Sequence, residues 1–113
     1  MFTVALVVFA VAALGGATLA YMRIVKKDVS LPLAIVHGVF AASGLVLLIL
    51  GLTGGAGAGS GIKLALGIFL VAAIGGFTLI SYHLRSRPLP VPLVLVHGGV
   101  AAVAFVILLL SVL

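Results

Sequence analysis

The chain has no cysteine, and Asp28 is its only acid. The first absence excludes disulfides, thiolate nucleophiles, iron–sulfur clusters and Cys-bound zinc, and leaves the redox compartment open. The second means that no carboxylate lies within any long apolar run, so carboxylate proton relays and cation-coupled transport lack their usual machinery. Ser43, Ser81 and Ser111 have no base arranged in sequence to activate them, and hydrolytic chemistry is not expected. Asp28 sits among Lys26 and Lys27, where balancing their charge explains it better than catalysis does.

What is present is apolar. Only 6% of the 113 residues are charged and 65% are apolar, against about 25% and about 45 to 50% in an average soluble domain. A chain this small cannot hide so much apolar surface in its own core. Lipid is the solvent such a surface requires.

Runs of spanning length cover residues 2–22, 31–52, 62–82 and 91–113. Each crosses a hydrocarbon layer of about 30 Å at about 1.5 Å per residue. Helix is the assignment that satisfies the backbone of a lone segment in lipid, and the runs lack the alternation of a barrel strand. The first twenty residues have no basic n-region and too long an apolar run for a signal peptide, so they are expected to be a retained helix. The segment 53–61, Thr-Gly-Gly-Ala-Gly-Ala-Gly-Ser-Gly, reads as a flexible linker. Pro32 and Pro92 suit the first turn of helices two and four, and Pro88 and Pro90 stiffen the connection before the latter.

A shift of sixty residues aligns 3–53 with 63–113 without a gap, and 20 of the 51 pairs are identical. Gly15-Gly16-x-Thr18-Leu19 falls on Gly75-Gly76-x-Thr78-Leu79, and Pro32-Leu33-x-x-Val36-His37-Gly38 on Pro92-Leu93-x-x-Val96-His97-Gly98. The expected architecture is therefore all-α: one integral membrane domain, 1–113, in which two tandem hairpins (1–52 and 62–113, joined by 53–61) form a four-helix bundle. With an even number of spans per copy, the copies share one orientation and are related by a pseudo-two-fold axis along the membrane normal.

Six Lys and Arg against one acid give a net charge of +5. The positions exclude a nucleic-acid surface, because Arg23, Lys26, Lys27, Arg85 and Arg87 all lie in two short segments between apolar runs. The positive-inside rule places those basic loops, 23–30 and 83–91, in the cytoplasm and both termini outside, in what is expected to be a bacterial inner membrane. Lys63 is the one cation that argues against this orientation.

His37 and His97 are the sharpest chemical signal. Each lies six residues past the start of its run, hence about 9 Å into the membrane, where an unpaired polar residue is costly. Related by the repeat, two neutral imidazoles facing one another would make a symmetric metal site suited to a low-spin haem iron. Thr18 and Thr78 fall at a similar depth and are the expected acceptors of the outer imidazole N–H. Gly15, Gly16, Gly75 and Gly76 would make room for a flat macrocycle or a close helix, and Gly38 and Gly98 remove bulk beside each histidine. The basic residues would face haem propionates, although topogenic charge is the simpler account of any one of them.

A plainer reading stands beside this. Ala12-Gly16-Ala20, Ala72-Gly76 and Gly38-Ala42 have the four-residue spacing of helix-packing devices. Each histidine would then only hydrogen-bond a neighbouring helix, with Thr18 or Thr78 accepting. His83, whose counterpart is Arg23, reads as interfacial, as do Tyr21 and Tyr82.

On these motifs the sequence resembles small four-span bacterial membrane proteins with a duplicated Gly-Gly…His-Gly hairpin, a resemblance that implies no activity. In architecture it is similar to four-helix b-type cytochromes, which implies a haem between histidines on different helices. Its length and span count are also similar to those of small multidrug-resistance transporters. The membrane-embedded glutamate those need in the first helix is missing here, so their mechanism does not carry over. The expected function is a b-type haem electron carrier with one site at His37 and His97 and no other cofactor. The alternative is a non-catalytic structural or assembly subunit. Neither is an enzyme in the ordinary sense, and the expected partners are the bilayer and other membrane subunits or a homo-oligomer.

Overall fold

The computed structural model describes residues 1–26, 28–54 and 59–113. Four helices account for nearly all of them: α1 (Phe2–Tyr21), α2 (Leu31–Thr53), α3 (Ser60–Leu84) and α4 (Val91–Val112). All four are long and apolar enough to cross a membrane. They form a bundle of 43 × 19 × 19 Å, so its long axis matches a bilayer and its width is that of helices packed two by two.

Local chemistry sets the ends. Ser30 caps α2, its hydroxyl accepting from Leu33 N–H at 3.2 Å, with Pro32 in the first turn. Pro90 plays the entry role for α4, again with a proline, Pro92, in the first turn. At the end of α3 the chain reverses through Ser86, whose φ of 54° is left-handed. Arg87 N–H then reaches Tyr82 C=O and Ser86 N–H reaches His83 C=O, a Schellman closure built on a serine instead of the usual glycine.

The boundaries depart from expectation at all three connections, α3 running on to Leu84 at the last of them. α1 does not end in a loop but continues through a π-helical turn, Met22–Lys26, which carries Arg23 and Lys26. Thr53 closes α2, and Ser60 and Gly61 open α3, which shortens the expected linker; residues 55–58 and Lys27 lie outside the described residues.

Within each hairpin the helices pack closely, while α1 meets α4 and α2 meets α3 more loosely. That order leaves α1 opposite α3 and α2 opposite α4 on the two diagonals. Lipid supplies no hydrophobic drive for helix association, so close van der Waals contact must do so. On the first diagonal Phe9 and Phe69, counterparts in the repeat, stack with ring centres 3.9 Å apart and planes 3° apart. Gly44 makes this possible, since a Cβ there would lie 2.7 Å from the Phe9 ring. Around the stack Ala5, Leu48, Ala65, Ala104 and Leu108 are fully buried.

This dry core is confined to one half of the bundle. Ala5, Phe9, Leu48, Ile62, Ala65, Phe69, Ala104 and Leu108 all lie between the histidine level and the end away from the basic segments. Toward the basic end Val94 is the only buried apolar side chain among the described residues, beyond Ala12 and Ala72 at the histidine level.

Candidate functional site

The second diagonal carries the histidines. His37 on α2 and His97 on α4 approach with ring centres 6.3 Å apart and planes perpendicular. Each ring is held by the other helix of its own hairpin. His37 Nδ1 lies 2.7 Å from Ala12 O, and His97 Nδ1 lies 2.8 Å from Ala72 O. A carbonyl only accepts, so Nδ1 carries a proton in both rings, and in a neutral imidazole so bonded Nε2 keeps its lone pair. Neither Nε2 has a hydrogen-bond partner among the described residues, and neither is sealed from the surface.

A main-chain carbonyl inside a helix can accept a second hydrogen bond only if its neighbours stand aside. Gly16 stands four residues after Ala12, on the same face. A Cβ at Gly16 would lie 2.9 Å from His37 Cε1, and one at Gly76 3.1 Å from His97 Cε1. Gly15 and Gly75 meet the same side chains at 3.6 and 3.5 Å, which is ordinary contact. The paired glycines therefore make a seat for the imidazole of their own hairpin. The room expected for a macrocycle at these four positions is taken by the histidine rings themselves.

Thr18 and Thr78 do not meet the histidines. Thr18 Oγ1 donates to Leu14 O and Thr78 Oγ1 to Ile74 O, both at 2.8 Å, and both residues are exposed on the bundle surface. The reason is angular: two residues past Gly16 is about 200° around the helix, so depth is shared but the face is not. The threonines satisfy their hydroxyls on their own helices, as isolated hydroxyls in apolar surroundings do. Gly38 and Gly98 also point outward, with nothing within 4 Å of a Cβ placed on either. They clear no space beside the rings.

Sequence reasoning missed the acceptors, the carbonyl oxygens of Ala12 and Ala72. The available signal was the Ala12-Gly16 and Ala72-Gly76 spacing, which marks where a backbone is left bare.

At the basic end the cations divide. Arg23 is half-buried, and its Nε donates to Leu89 O at 2.6 Å, bridging from the first hairpin to the second. Arg85 stays local, over the Tyr82 ring at 4.9 Å and bonded to Ser81. Lys26, Asp28 and Arg87 are exposed, as are Tyr21 and, near the opposite end, Lys63; Tyr82 and His83 are half-buried.

Two imidazole nitrogens are the whole protein donor set at the axis, since no group of three or more His, Cys, Asp or Glu forms among the described residues. A bare zinc ion needs at least a third protein ligand. A macrocycle that brings its own equatorial donors needs only two axial ones. His37 and His97, with ring centres 6.3 Å apart, are the residues that would hold such a group. Each ring also has the backbone-bonded second nitrogen that ligating histidines usually show.

Comparison of the chain with family models, curated proteins and solved structures gave no match.

Proposed function

We propose that this small integral membrane protein is a one-electron carrier in which His37 and His97 would hold a single b-type haem. The observation that carries the proposal is the pair itself: two repeat-related imidazoles on opposite helices, 6.3 Å apart, each fixed through Nδ1 and each with a free Nε2. When bound, haem supplies reversible iron redox chemistry. The chain's part is to orient the two imidazoles through their Nδ1–carbonyl bonds and to hold them in a low-dielectric layer. With the basic loops in the cytoplasm, the site lies nearer that face, and a quinol or another membrane redox protein is the partner of suitable chemistry.

A second reading keeps the same bonds for a different purpose. The Nδ1–carbonyl contacts tie α2 to α1 and α4 to α3, which is also what a non-catalytic assembly subunit needs. It leaves unexplained why both rings sit on one diagonal with their second nitrogens unused. The reduced and oxidised absorption spectra of protein purified from haem-replete cells decide between them. A Soret band that sharpens and shifts on reduction, lost in His37→Ala, supports the carrier. Its absence under conditions that keep haem in a control cytochrome favours the scaffold.

A further inference from the structure

We infer that Arg23 is the anion-holding residue of the imidazole site, so that the guest enters from the basic end and rests with its carboxylates against that guanidinium. The inference depends on the haem reading and adds to it an entry side, an orientation and one residue.

Arg23 follows Gly16, the seat of His37, by seven residues. That is about two turns and about 10 Å nearer the basic end, the last of it in the π-helical turn that opens at Met22. Its Nε bond to Leu89 O turns the side chain across the end of the bundle and fixes the plane of the guanidinium. Neither Nη group has a hydrogen-bond partner among the described residues, and a guanidinium presents them in the fork that matches a carboxylate. No other described cation combines these properties. Arg85 is held on its own helix by Ser81 and Tyr82, and Lys26 and Arg87 stand exposed.

The packing says which way a guest must lie. Beyond the histidines, away from Arg23, the axis is filled by the Phe9–Phe69 stack and by Leu48 and Leu108. Toward Arg23 the only buried apolar side chain among the described residues is Val94, and neither Nε2 is fully buried. The repeat places His83, not a second arginine, opposite Arg23. The anion site is therefore single in an otherwise two-fold arrangement, and it suits an amphiphile that is apolar at one edge and carboxylate-bearing at the other.

The test is titration of the haem-free full chain in detergent with hemin and with hemin dimethyl ester, which lacks the free carboxylates, followed at the Soret band. Wild type should bind hemin roughly tenfold or more tighter than the ester, the range of a charge-assisted hydrogen bond. Arg23→Gln should remove most of that preference while leaving ester affinity unchanged. If the variant does not fold, the wild-type comparison still decides, because equal affinity for the two guests overturns the inference. So does an equal loss for both guests in Arg23→Gln, which would make Arg23 a loop clasp only. If neither guest gives a Soret shift in wild type, the haem reading itself fails and takes this inference with it; hemin and ester binding alike leaves that reading standing.

Discussion

His37 Nδ1 lies 2.7 Å from the carbonyl oxygen of Ala12, and sixty residues later His97 repeats the bond to Ala72 at 2.8 Å. A helix carbonyl that already serves its own helix thus fixes an imidazole of the neighbouring one. It fixes the tautomer too. In the haem-free chain, ¹⁵N spectra of labelled histidine should show Nδ1 protonated and Nε2 bare for both residues. Protonated Nε2 at either would remove the ligand lone pair on which the site depends.

The seats under the rings give a sharper test of packing. Gly16→Ala puts a Cβ 2.9 Å from His37 Cε1, an overpacking that costs about 1–3 kcal/mol or displaces the ring. Gly38→Ala meets nothing and should range from neutral to about 1 kcal/mol stabilising through helix propensity. Thermal unfolding followed by circular dichroism should order them Gly38→Ala, wild type, Gly16→Ala from most to least stable. The reverse order would mean that the rings do not lie where they are described.

Thr18 and Thr78 face outward and bond their own helices. Replacing both by valine should leave histidine ¹⁵N shifts and any haem spectrum unchanged. A spectral change as large as that of a histidine variant would restore the threonines as partners of the imidazoles.

Ser86 holds a φ of 54° in the turn after α3. A side chain there costs about 1 kcal/mol relative to glycine, so Ser86→Gly should raise the melting midpoint slightly with no effect on the histidine site. A lowered midpoint would show that the serine makes a contact worth more than its strain.

Most of the architecture was legible in the sequence because lipid leaves so few choices: four apolar runs of spanning length must be four helices. The pairing of His37 with His97 was legible through the sixty-residue shift, which puts both at one depth. The acceptors were not, since Ala12 and Ala72 act through main-chain atoms that carry no side-chain signature. The threonines misled because depth was weighed without azimuth: residues 16 and 18 share a level but look in opposite directions. The same oversight assigned Gly38 and Gly98 to the site, next to the histidines in sequence yet on the outer face. The buried apolar side chains gather around the Phe9–Phe69 stack, in the half away from the basic segments, a consequence of packing that composition does not encode.

The stoichiometry of hemin binding tests most directly whether the two imidazoles of one chain share one guest. Titration of the monomeric, detergent-solubilised protein should reach a sharp end-point at one haem per chain, with the six-coordinate low-spin spectrum of two axial imidazoles. An end-point at one haem per two chains, or none at all, would contradict the account.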